Sequence, residues 1–169
     1  MPAPKRALPF DPIAEARRRW DERWDGGVPM AAATSIMRAQ QILLGRVDEA
    51  LKPFGLTFAR YEALVLLLFS RTGELPLGKM GQRLMVHPTS VTNIVDRLEA
   101  QGFVERVPHP TDRRTTLCAL TDEGRAVAKA ATDVVVEISL GVTGLTEAEM
   151  ERLTSLLRKL RASAGDFAE

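Results

Sequence analysis

The sequence predicts a mainly α-helical protein that carries one small β-hairpin. Three observations predict it. Apolar residues recur at helical spacing from about residue 30 to residue 100. The period drops to two between residues 103 and 120. Helical spacing then returns to near the end of the chain.

Each element has its own warrant. Residues 1–10 (MPAPKRALPF) hold three prolines and read as a flexible arm. Asp11 followed by Pro12 is a helix N-cap with proline in the first turn. Ile13, Ala16, Trp20 and Trp24 fall at helical spacing before Gly26-Gly27, which makes 11–25 a short extra helix. With both tryptophans on one face it cannot bury them alone, so it must pack on something. A long helix runs from about Met30 to Lys52, with Ile36, Leu43, Leu44, Val47 and Leu51 inward, and Pro53 and Gly55 stop it. A further helix opens at Thr57 or the next residue, turns Tyr61, Leu64, Val65 and Leu68 inward and ends near Thr72-Gly73. Pro76 to Leu84 is a short helix on Leu77, Met80 and Leu84. The next runs from Pro88 to Ala100, with Gly102 as its stop.

Phe103–Val107 and Thr115–Leu120 read as two strands, joined by Pro108-His109-Pro110-Thr111-Asp112-Arg113-Arg114, a run of turn formers and bases. Thr121-Asp122-Glu123-Gly124 opens a helix reaching about Leu140. Thr146 and the acidic residues after it cap a last helix through Leu153, Leu156, Leu157 and Leu160. Short helices joined by a tight turn and followed by a hairpin make a winged helix-turn-helix. Residues 57–120 are then the DNA-binding lobe, flanked by the amphipathic helical segments 30–56 and 121–164, candidates for dimerisation helices.

Composition narrows the function. One cysteine in 169 residues excludes a disulfide scaffold and a four-cysteine zinc site. The longest apolar stretch, Leu64 to Phe69, is far too short to span a membrane. No apolar segment follows Lys5 and Arg6, so a signal peptide is not expected and a cytoplasmic location is. The net charge of +1 does not advertise nucleic-acid binding, so that reading must rest on local chemistry. Nucleophile elbows, phosphate loops and HExxH motifs are absent, and no nucleophile is paired with a base. No enzyme, cofactor or metal is expected.

Local chemistry points to DNA. On the helix from Pro88, Val91, Ile94, Val95 and Leu98 form one apolar stripe. Thr89, Thr92, Asn93 and Asp96 project opposite, with Ser90 and Arg97 at the flanks. Short polar side chains suit a major groove: Asn can bridge an adenine edge, and Thr offers a hydroxyl and a methyl. Arg113 and Arg114 at the hairpin tip have no use in a core and fit a narrow minor groove. Asp112 would hold the loop or an arginine, since phosphate repels it. Lys79 and Arg83, on the preceding helix, together with Arg106, are expected on phosphates. Cys118 reads as packing on a half-buried strand, and His87 as a helix cap.

The stretch from Val86 to Gly124 resembles the winged helix-turn-helix of the MarR family of bacterial transcription regulators. It carries a VTxxVDRLE helix, a GFVER strand, a DRR wing and an LTDEG helix start. With the helix order, the likeness covers about residues 30 to 160. It implies a homodimer joined through its first and last helices, a pseudo-palindromic double-stranded operator, and a small aromatic or apolar effector that releases a repressor. It places the wing pattern on Asp112 and Arg114 and the reading contacts on Thr92 and Asn93. The extra N-terminal helix resembles that of the urate-responsive subgroup, in which a tryptophan closes over the ligand; Trp20 matches it. That subgroup also uses an Asp and an Arg on its second helix. Glu62 and Phe69 stand there instead, so the implied ligand is more apolar than urate. Two other readings stay open: a winged-helix module for protein partners, and a DNA binder without an effector.

Overall fold

The computed structural model describes residues 7–112 and 114–168. Local chemistry sets most element ends. Helix α1 (Pro12–Asp21) starts where the Asp11 carboxylate accepts the Ile13 amide at 2.9 Å. Helix α2 (Gly27–Leu51) leaves α1 through a sharp corner. Gly26 there is left-handed (φ 85°), and a Cβ on Gly27 would stand 1.9 Å from the Asp21 carboxylate. A short 3-10 turn, Lys52–Phe54, leads to α3 (Phe58–Leu68). Thr57 is its N-cap, but the Phe58 amide donates to Asp48 of α2, at 2.6 Å. Strand β1 (Glu74–Pro76) then runs directly into α4 (Leu77–Leu84). Helix α5 (Pro88–Ala100) is capped by the His87 ring, which accepts the Thr89 amide at 3.3 Å.

Strands β2 (Val104–Pro108) and β3 (Thr116–Leu120) follow, then α6 (Asp122–Glu137) and α7 (Glu147–Ser163). Thr121 caps α6 by accepting the Gly124 amide, and Thr146 with Glu149 forms a reciprocal capping box on α7.

The sheet has three antiparallel strands in the order β1-β3-β2, so the expected two-stranded hairpin gains a third strand. Leu75 lies opposite Cys118 on one side of β3, and Arg106 lies opposite it on the other. Three residues ending in proline carry no strand signal of their own. They pair because β3 offers an open edge.

Two other expectations shift. Helix α3 ends at Leu68, short of Thr72-Gly73. Helix α6 ends at Glu137, short of Leu140, because Ser139 and Leu140 both turn left-handed (φ 51° and 50°) before Gly141. Non-glycine residues rarely adopt that conformation. Arg46 of α2 holds the turn, donating to the Gly141 carbonyl at 2.6 Å and to the Thr143 hydroxyl at 2.9 Å.

The core lies in the middle of the chain. Leu51, Leu64, Leu67, Met80, Val95, Leu98, Val104 and Val135 are fully buried. At about 1.5–3 kcal/mol for each large side chain removed from water, they supply much of the drive to fold, and Leu51 of α2 and Val135 of α6 share this core with α3, α4, α5 and the sheet. Gly124 locks the start of α6 against the residue before β2, since a Cβ there would stand 1.9 Å from the Phe103 carbonyl oxygen. By contrast, α1 and α7 bury no residue. Trp24, Val28, Met37, Leu153, Leu156 and Leu160 remain exposed on α2, α7 and the corner after α1.

Candidate nucleic-acid interface

Helix α5 turns Val91, Val95 and Leu98 into the core. Thr89, Ser90, Thr92, Asn93 and Arg97 are consequently exposed together on its other side. The Thr92 hydroxyl donates to the Pro88 carbonyl at 3.2 Å. Helix α4 packs against α5 closely enough that a Cβ on Gly81 would meet Val91 at 3.2 Å. Met85 makes the tight turn between them with a left-handed backbone (φ 53°). Lys79 and Arg83 are exposed on α4 and make no ion pair among the described residues.

The wing tip is closed by two side chains. The Asp112 carboxylate accepts the Arg114 amide at 2.9 Å and the Thr115 hydroxyl at 2.7 Å. Those two donors hold its carboxyl below the ordinary value. The His109 ring accepts the amides of Thr111 and Asp112 at 3.3 and 3.2 Å. Across the loop, the His109 amide donates to the Thr115 carbonyl. Arg114 is exposed beside this closed loop. Arg113 lies outside the described residues.

Arg106 has a different partner from the expected phosphate. Its guanidinium pairs with Asp96 at 2.5 Å and with Glu99, and its amide donates to Glu99 at 3.1 Å. Arg106 therefore joins β2 to α5 and neutralises Asp96 on the helix that carries Asn93. Sequence reading missed this joint, because a strand arginine and two helix acids seven and ten residues apart share no periodic pattern. It also missed Arg60 of α3, which lines a polar notch beside Asn93 and Arg97.

The residues singled out for an effector are spread over α1 and α3. The Trp20 indole donates to the Asp25 carbonyl at 2.9 Å, and its ring lies 5.0 Å from that of Trp24. Glu62 is at the surface, where partial desolvation raises its carboxyl above the ordinary value. Phe69 at the end of α3 is 81% exposed. An apolar cavity of about 550 Å3 lies elsewhere, lined by Ile36, Leu43, Leu44, Phe58, Leu153 and Leu157 among others. Cys118 is buried in the central strand, and burial pushes its thiol up to about 12. It therefore stays protonated and unreactive at neutral pH.

Comparison with known proteins agrees with this architecture. The sequence model of the MarR family matches residues 58–116. A MarR family transcriptional regulator from Streptomyces coelicolor is 57% identical, with a TM-score of 0.78, over 84% of this chain and 99% of that one. A second regulator from the same organism, solved in complex with DNA, is 25% identical with a TM-score of 0.72, over 83% of this chain and 90% of that one. CouR from Rhodococcus jostii RHA1, solved with p-coumaroyl-CoA, is 27% identical with a TM-score of 0.69, over 82% and 95%. The two Streptomyces relatives are transcriptional regulators rather than enzymes. With the family model matched across α3 to the start of β3 and the fold shared over most of both chains, the chain belongs to the MarR family of DNA-binding transcription regulators.

Proposed function

We propose that two copies of this chain bind a pseudo-palindromic operator as a repressor, and that a small aromatic or apolar ligand releases it. The observation that carries the reading is a division of labour. The exposed side of α5 carries small polar residues, whereas α2 and α7 expose large apolar ones, Ile36, Met37, Leu153, Leu156 and Leu160 among them. Thr92 and Asn93, with Thr89, Ser90 and Arg97 around them, suit base edges and nearby phosphates. Arg113 and Arg114 suit the minor groove, with Asp112 shaping the loop that presents them. Lys79 and Arg83 suit phosphates. A protein-binding helix would instead present large anchors such as Trp, Tyr or Leu.

Two reading helices must stand about 34–36 Å apart to enter successive major grooves. A ligand releases DNA only if it binds another separation more tightly; tight binding to both states releases nothing. Trp20, Glu62 and Phe69 are one candidate set of contacts. The apolar cavity is a second, and it joins Phe58 of the DNA-binding lobe to α2 and α7. The relative solved with p-coumaroyl-CoA supports an aromatic acyl ligand as the class to try first.

The test is a fluorescence-anisotropy titration against DNA upstream of the protein's own gene, with unrelated DNA as competitor, followed by addition of aromatic acids and their thioesters. The expected result is competitor-resistant binding by two protomers per site, with release by one ligand that also quenches tryptophan emission. Binding no tighter than to random DNA would overturn the operator reading. Binding that no such compound weakens would leave a constitutive DNA binder.

A further inference from the structure

Beside the reading helix lies a polar notch of about 380 Å3, lined by Thr57 and Arg60 of the α3 start and by Asn93, Ile94 and Arg97 of α5. Two arginines face one small space there, and no carboxylate lines it. Arg97 makes no ion pair among the described residues. Arg60 is held, but only by neutral partners. Its Nε donates to the Thr57 hydroxyl at 3.3 Å, and its Nη1 donates to the Gln101 side-chain carbonyl at 3.2 Å. Gln101 in turn donates to the Gly55 carbonyl at 3.2 Å, so the end of α5 is tied to the turn before α3. The chain thus fixes where Arg60 points and leaves its charge unspent.

The contrast with Arg106 on the same lobe is direct. There two carboxylates neutralise the guanidinium; here none does. The first amide of α3 is already taken by Asp48, and the charged side chains that line the notch are the two guanidiniums.

We infer that this notch binds one phosphodiester of the DNA backbone, at the edge of the groove that α5 enters, with Arg60 and Arg97 as its cationic partners and Gln101 as the residue that positions Arg60. The inference rests on the DNA-binding reading above. Its occupant follows from continuity: Asn93 and Arg97 line the notch and also belong to the exposed side of α5. A base edge contacted by Asn93 brings its own backbone past this space. A fixed orientation matters here, because a flexible arginine loses side-chain freedom on binding.

The test uses the full-length protein and a bound operator duplex in which single backbone positions are replaced, one at a time, by neutral methylphosphonates. With wild-type protein, one position per half-site outside the Asn93 contact should weaken binding. In Arg60→Ala that position should become insensitive while the others keep their effect. The log–log salt slope should fall by about 0.9 per half-site, and the preference among base sequences should stay unchanged. Arg60→Lys should restore most of the slope, which separates lost charge from lost folding. Gln101→Met alone should weaken binding, and should add nothing in the Arg60→Ala background. An Arg60→Ala protein that melts like wild type and keeps both slope and methylphosphonate pattern overturns the notch while leaving the DNA reading intact. A wild-type protein insensitive to every methylphosphonate overturns both.

Discussion

The lobe that carries α5 and the wing, and the helix layer beside it, use similar side chains in opposite ways. In the lobe, Leu64, Leu67, Met80, Val95 and Leu98 are fully buried. In the helix layer, α1 and α7 bury nothing, and Leu156 is 55% exposed although it belongs to an equally regular apolar stripe. The lobe has a second surface for every apolar face, because sheet, α3, α5 and α6 close on one another. Helix α7 buries none of its residues, and its Leu153 and Leu157 only line the open apolar cavity beside α2. Leu153, Leu156 and Leu160 are exposed in a row along α7, and contiguous exposed apolar faces mark association sites. An apolar stripe in sequence therefore says that a face will be covered, and leaves open whether by the same chain.

The largest expected effect separates the two regions most cleanly. Leu64→Ala opens a cavity in a closed core and should cost about 2–5 kcal/mol. Urea denaturation should show the loss equally at low and high protein concentration. An unfolding midpoint that recovers on concentrating the protein would mean the lobe also depends on a second copy.

Leu156→Asp sharpens the other side. A charge on α7 should leave the lobe's far-UV circular dichroism unchanged and shift the sedimenting species towards monomer. Operator affinity should fall by roughly tenfold or more, since a single half-site then binds alone. A dimer of wild-type strength after this substitution would move the interface away from α7.

Legibility in the sequence follows the same division. The α5 helix and the wing were readable because one stripe must be buried locally, which fixes the polar residues on the other side. Strand β1 was not, because Glu-Leu-Pro becomes a strand only through the edge of β3, more than forty residues away. The end of α6 was misplaced because Ser139 and Leu140 turn left-handed where only Gly141 advertises such a turn. What holds them is Arg46, which is distant in sequence. Arg60 carries no signal of its own in the sequence, since its meaning lies in Gln101 and Arg97 across a space. The Trp20 and Trp24 face was legible as apolar, but the tilted contact between the two rings and the bond to Asp25 were not.

A smaller effect tests whether the lobe is a rigid unit. Arg106→Ala removes the joint between β2 and α5 and leaves Asp96 and Glu99 unpaired. The pairing is partly exposed, so the stability cost should be about 1 kcal/mol. The effect on DNA should exceed it in kind. An unpaired Asp96 repels backbone phosphate, so affinity should fall further at low salt than at high salt. The double variant Arg106→Ala with Asp96→Asn should recover that salt-dependent part. If it does not, the joint acts through geometry alone.

The smallest effect is confined to the wing tip. Asp112 accepts the Thr115 hydroxyl and the Arg114 amide only as a strong acceptor, and those bonds hold its carboxyl below the ordinary value near 4. For a carboxylate whose value is lowered by folding, the favourable contribution is complete above the unfolded value. It is lost as pH falls through the lower, folded one. The tip should therefore be unchanged from neutral pH down to about pH 4 and loosen below that. Because Asp112 is fully exposed, global unfolding should hardly register the change, whereas hydrogen exchange at the Arg114 and Thr115 amides should. Asp112→Asn weakens the acceptor without acid and should bring faster exchange at those two amides to pH 7, together with slightly weaker operator binding and an intact lobe. Equal exchange in variant and wild type would assign the tip's shape to the His109 ring, which accepts the amides of Thr111 and Asp112 from the other side of the loop.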